Sequence, residues 1–174
     1  PSRDILIIGH GVTGNKDRPL VVTLAEAVSN EGMAVLRFSF SGNGSSGGDF
    51  RDCTISKEVG DLKAVVTAAV KKGYRVTYAG HSMGGAVGVL TAFSDDRIKH
   101  LISLAGMVHT MDFYDREFGE EKPDEGCMWE EPSYPLSSTY RNDMYEIASV
   151  ASKASEIKIP WLLIHGDADD VIPI

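Results

Sequence analysis

Short runs in which every residue is apolar alternate along this chain with longer stretches where apolar residues recur every three or four positions. The first pattern suits a strand covered on both faces and the second a helix with one buried side. Their alternation predicts βαβ units around a mostly parallel sheet, an α/β fold. Ile5-Leu6-Ile7-Ile8 is the first such run. A helix is expected over about 19–31, with Leu20, Leu24, Ala27 and Val28 on its inner side. A second strand covers 34–38, and a glycine- and serine-rich loop follows it. The next helix, about 54–72, carries Val59, Leu62, Val66 and Val70 as its buried stripe. Residues 74–79 form a third strand, and 83–93 a helix apolar nearly all round, which must therefore be buried. Strands at 101–105 and 161–164 complete the pattern. Between these two lies an insert, about 111–158, too long for a plain connection. Its first part reads as loop and its second, about 140–155, as helix.

The turn between the third strand and the buried helix carries the chemistry. Gly80-His81-Ser82-Met83-Gly84 matches G-x-S-x-G, with a strand before it and a helix after it. A turn this sharp brings the flanking positions together, so only glycine fits at 80 and 84. Ser82 is then held above the strand end at the positive end of a helix, where an oxyanion is stabilised. Gly85 and Gly88 let that helix pack close to the sheet.

With this turn, two further stretches make the chain resemble the α/β-hydrolase superfamily, in particular its bacterial esterases and serine aminopeptidase-like members. His10-Gly11-Val12-Thr13-Gly14 is similar to the family's H-G-x-x-G oxyanion loop. His165-Gly166-Asp167-Ala168-Asp169-Asp170-Val171-Ile172-Pro173 is similar to its acid loop. The resemblance spans nearly the whole chain. It implies Ser82 as nucleophile, backbone N–H groups of Val12 and Met83 as the oxyanion hole, and His10 and Gly11 as support for that loop. It implies Asp169 as the acid that orients a histidine, with Asp170 next in rank, and Asp167 and the more distant Asp112 as further rivals.

The histidine itself is the difficulty. The family's order is serine, acid, histidine, and no histidine follows Asp169. His10 belongs to the oxyanion loop, His81 lies inside the turn, and His165 ends the last strand. His100 is expected at the wrong end of the sheet. His109 follows the fourth strand on the side of Ser82, yet its place fits no triad order. The family's sheet has two strands before the first one here and one after the acid loop. The expectation is a partial α/β-hydrolase core over residues 1–174, lacking those three strands, with the triad histidine beyond residue 174.

Gly42-Asn43-Gly44-Ser45-Ser46-Gly47 is a literal dinucleotide fingerprint after a strand. The helix, however, opens about seven residues too late, and the next strand ends in Ala79-Gly80 where an acidic ribose ligand belongs. The family often has aspartate and arginine around this loop, where this chain has Ser39 and Ser41. No organic cofactor or metal is expected.

Composition narrows the rest. The 174 residues, 43% hydrophobic and 24% charged, suit one globular domain, and no apolar run reaches the ~18 residues of a membrane span. A net charge of −8 argues against a nucleic-acid partner. Cys53 and Cys127 read as free thiols of a reducing cytoplasm. No signal peptide is evident, and Pro1-Ser2-Arg3-Asp4 leads straight into a strand, so the N-terminus is expected to lie further upstream. The insert is acidic: nine Asp or Glu between 111 and 132 face only Arg116 and Lys122. As a lid it would offer Phe113, Tyr114, Phe118, Met128 and Trp129 to an apolar substrate pocket and would disfavour anionic substrates. As a solvated surface it would do neither. The expected activity is hydrolysis of a carboxylic ester, of small-molecule or short peptide-like size, through an acyl-enzyme. Peptide or amide cleavage is the alternative, and a binding protein that keeps the fold without catalysis is the rival.

Overall fold

The computed structural model describes residues 3–173. Five strands form one parallel sheet in the order β2-β1-β3-β4-β5: β1 (Asp4–Gly9), β2 (Ala34–Arg37), β3 (Arg75–His81), β4 (Ile98–Leu104) and β5 (Trp161–Ile164). β1 and β3 lie at its centre, and Ile7, Val76, Tyr78 and Ala79 are fully buried there. Among the described residues six α-helices accompany the sheet: α1 (Pro19–Asn30), α2 (Ile55–Lys71), α3 (Met83–Ser94), α4 (Thr110–Phe118), α5 (Ser138–Ile147) and α6 (Ala151–Ala154). α1 packs on one face, over Leu6, Ile8 and Ala79. α2 and α3 pack on the other, over Ile7, Val76, Tyr78 and Leu101.

The apolar stripes of two helices are rotated from their expected places. α1 buries Val21 and Ala25 and leaves Leu20 47% exposed. Its apolar residues are spread too widely to choose a side, and contact with β1 makes the choice. α2 starts where the Thr54 hydroxyl caps the Lys57 N–H at 3.0 Å. From there Ile55, Glu58, Leu62, Val66 and Ala69 point inward, while Val70 faces outward. A glutamate thus occupies a core position. α3 is buried nearly all round, as its composition predicts.

The insert differs most. Its first part is not loop: α4 buries Thr110, Phe113, Tyr114 and Phe118 at helical spacing. The single helix expected over 140–155 is two, α5 and α6, divided at Ala148, which takes a φ of 53°. His100 lies within β4, not before it, because pairing of Ile98 with Val76 starts that strand earlier.

Candidate active site

β3 ends in the turn that presents Ser82. Its φ of 52° and ψ of −118° are strained for a residue with a side chain. The sequence permits this because a Cβ at Gly80 would lie 2.1 Å from the Gly84 carbonyl oxygen. The Ser82 backbone is fixed on three sides. Its N–H donates to the Leu104 carbonyl at 3.0 Å, and its own carbonyl accepts from Gly85 at 2.8 Å and Met107 at 3.0 Å. The side chain stays half-buried, within reach of a ligand.

The loop after β1 comes against this turn. A Cβ on Gly11 would sit 3.0 Å from the Ser82 Cβ. Gly14 donates to the Gly11 carbonyl at 3.0 Å and closes the loop, with Thr13 at a φ of 55°. His10 is 1% exposed and braces the loop from below. Its Nε2 accepts from the Phe40 N–H at 3.1 Å, so the proton sits on Nδ1, which donates to the Gly11 carbonyl at 2.9 Å. Burial pushes the His10 imidazole down to about 4, and it stays neutral. Val12 is half-buried and Met83 is 3% exposed, and both line one small void below the loop.

Asp169 stands in the loop after β5. One carboxylate oxygen accepts from the Val171 N–H at 3.0 Å and the Ile172 N–H at 2.8 Å. The other lies 3.8 Å from His165 Nε2. The Ile172 N–H above all, then that of Val171, holds this carboxyl below its usual range. Asp167, Asp170 and Asp112 are all exposed. Asp169 also reaches His81 electrostatically and would raise its pKa, but burial acts more strongly and lowers it.

The other histidines are placed elsewhere. His100 Nδ1 lies 3.3 Å from the Thr77 hydroxyl in the sheet, and His165 Nε2 is engaged by the Ile172 carbonyl. His109 is exposed at the start of α4. It lines a cavity of about 620 Å³ with Gly106, Met107, Asp112, Phe113 and Arg116, beside the turn that carries Ser82.

The insert aromatics divide differently from the expectation. Phe113 touches the cavity, but Tyr114 and Phe118 are buried against Tyr140 and against each other. Trp129 is 45% exposed, with its indole N–H on Glu117. Of the nine acidic residues only Asp112 lines the cavity; Glu117 and Glu121 are half-buried and the others face water. Two groups that the sequence pattern did not single out adjoin the site. They are Glu58 and Tyr140, buried side chains on the void shared with Val12 and Met83. A charged residue in register with the apolar stripe of α2 is the signal that could have found the first.

Comparison with known proteins agrees with this architecture. The model of the prolyl oligopeptidase family matches residues 21–174. The mitochondrial palmitoyl-protein thioesterase ABHD10 of Bos taurus is 25% identical over 182 residues, covering 97% of this chain and 58% of that protein. The chain thus spans 58% of the length of this curated relative. Est1E from Butyrivibrio proteoclasticus, solved with ferulic acid bound, superposes with a TM-score of 0.84 at 31% identity, over 98% of this chain and 71% of that one. ABHD10 from mouse has the same fold, with a TM-score of 0.75 at 18% identity over 97% of this chain and 71% of its own. No helix among the described residues is long and apolar enough to cross a membrane. A family match running from α1 to the final residue, on a parallel sheet with a nucleophile-type turn, shows that this chain belongs to the prolyl oligopeptidase family within the α/β-hydrolase superfamily.

Proposed function

We propose that the protein is a serine hydrolase that cleaves a carboxylic ester through an acyl-enzyme. The observation that carries this reading is the strained Ser82, held by β4 and α3 with the Gly11 loop against its Cβ. In the reaction the Ser82 Oγ attacks the carbonyl carbon while an imidazole takes its proton. The carbonyl oxygen gains the negative charge, and the Val12 and Met83 N–H groups hold it. The imidazolium returns the proton to the leaving oxygen as the tetrahedral adduct collapses to the acyl-Ser82 ester. Water, deprotonated by the same imidazole, then releases the acid and restores the serine. Asp169 is the acid that orients the imidazole. Its two backbone donors fix one oxygen, and the other remains to accept from a histidine.

The imidazole is the remaining part. His10 is held by two hydrogen bonds, His100 lies in the sheet, and His165 is engaged by a backbone carbonyl. We assign the base to a histidine outside residues 1–174. The relatives support the ester reading: one is named a thioesterase, and Est1E was solved with ferulic acid bound. The family name favours a second reading, cleavage of an amide or peptide by the same parts. A binding protein without catalysis is the third.

Intact mass after a fluorophosphonate probe tests the proposal. One adduct, lost in Ser82→Ala, is expected. No adduct on a chain that includes the downstream histidine would refute the nucleophile. On such a chain Asp169→Asn should slow hydrolysis by ~10³–10⁴-fold, and Asp170→Asn should leave it near the wild-type rate. An adduct on residues 1–174 alone, lost in His109→Ala, would move the base to His109. Rates on small esters against aminoacyl amides separate the first two readings.

A further inference from the structure

Beneath the oxyanion loop lies a void with about 10 Å³ of room for a water centre, lined by Val12, Thr13, Thr54, Glu58, Met83 and Tyr140, among others. That is space for one water molecule. Glu58 is 1% exposed, and neither carboxyl oxygen has a hydrogen-bond partner; the Tyr140 hydroxyl, on a residue 3% exposed, has none either. A buried polar group left unpaired is costly, so the void concentrates a large unmet demand. One water with two to four polar neighbours would meet it.

We propose that Glu58 is a positioning residue: with Tyr140 it holds one buried water, and this polar plug fixes the wall of the void that carries Val12 and Met83. The proposal rests on reading those two residues as the oxyanion donors. The acid is neutral in this setting. Burial pushes its carboxyl well above the usual range, Asp61 on α2 and Asp143 on α5 add to that, and Lys57 opposes them only weakly. Cys53, pushed up to about 12 chiefly by burial, is a neutral thiol, and burial also keeps Tyr78 and Tyr140 protonated. A neutral carboxyl both donates and accepts, so it can pair in either sense with a water shared with Tyr140. The plug also has a second tie beside it, since Asp143 accepts from the Ser56 N–H at 3.1 Å and joins α5 to the start of α2. α2 thus carries both Glu58, on the void under the loop after β1, and the tie to α5 in the insert.

The test compares Glu58→Gln, which keeps size and hydrogen bonding, with Glu58→Leu, which keeps size alone. Crystal structures of wild type and both variants, an infrared spectrum at pH 7, and the fluorophosphonate labelling rate of Ser82 are measured. Expected are a water touching Glu58 and Tyr140, and a carboxylic-acid C=O band that disappears in Glu58→Gln. Glu58→Gln should label within about twofold of wild type. Glu58→Leu should keep its melting temperature, shift the Val12 main chain by roughly 0.5 Å, and label about tenfold more slowly. A dry void, a missing acid band, or an unmoved Val12 in Glu58→Leu overturns the plug. A Glu58→Leu that labels at the wild-type rate overturns the positioning role. Labelling uses a chain that includes the downstream histidine; if wild type takes no label there, the reading of Ser82 fails, and the crystal and infrared results still decide the plug.

Discussion

Replacing Gly80 by alanine tests the tightest contact in the reactive turn. The new Cβ would lie 2.1 Å from the Gly84 carbonyl oxygen, 2.3 Å from its carbon and 2.7 Å from the Gly85 nitrogen. Ordinary contact begins near 3.4 Å, so β3 and the first turn of α3 must part by roughly 1.3 Å. All three atoms are backbone, so no rotamer change relieves the clash. α3 cannot simply recede either: Gly85 is backed by the Gly106 Cα, 2.7 Å from where its own Cβ would be. Overpacking of this kind costs about 3 kcal/mol, which in a chain of this size lowers Tm by roughly 6–12 °C. Displacing Ser82 by about 1 Å should also slow fluorophosphonate labelling by ~10²-fold. Gly60→Ala is the matched control. Gly60 sits exposed within α2 with nothing within 4 Å of its Cβ position, so it should gain about 0.5–1 kcal/mol from helix propensity. Thermal denaturation and labelling of the two variants check both figures. If Gly80→Ala melts and labels like wild type, the close approach of β3 and α3 is wrong, and with it the reason for the glycines.

Ser82→Gly should raise stability by about 1 kcal/mol and Ser82→Ala should not, because only glycine relieves a φ of 52°; chemical denaturation compares them. His10 titrates near 6.5 when unfolded and near 4 when folded, so the unfolded chain takes up the proton first as pH falls. Stability should therefore be full above about 6.5 and decline by about 3 kcal/mol on acidification to about 4, a slope that His10→Asn flattens in urea titrations.

How much was legible in the sequence depended on whether neighbours could alter the outcome. β1 and α3 are apolar at nearly every position, so any packing buries them, and the pattern located them. In α1 Leu20 and Val21 are adjacent and both apolar; the sheet decides which turns inward, and the outcome is Val21. In α2 the same rotation exchanges Val70 for Ala69 and brings in Glu58. α4 was hidden because Asp112, Asp115, Arg116 and Glu117 interrupt it, although Phe113, Tyr114 and Phe118 keep helical spacing. The turn at Ser82 is local chemistry, in which two glycines and a strand-helix junction suffice. Asp169 and its neighbours share one carboxylate-rich turn, and what separates them is a pair of backbone donors that only the folded loop supplies.

The insert's contacts make it a brace between two unequal halves of the site. Ser82 and the His10–Val12 loop rise from β3 and β1, paired strands at the buried centre of the sheet. Asp169 rises from β5, beside β4, and its loop is held mainly by bonds within itself and to His165. The insert reaches both halves. From α4, Arg116 donates to the Val171 carbonyl in the acid loop. From α5, Tyr140 closes the void under Val12, and Asp143 caps the start of α2. Swinging the insert away as a free lid would break each of these ties and expose Met128 and Tyr140, now 2% and 3% exposed. Substrate access is thus better sought through the 620 Å³ cavity between α4 and the acid loop than by displacing the insert. Substitutions along α4 should then act on the acid through Arg116 and on the serine through Tyr114 and Tyr140, two effects that a simple flap would not separate.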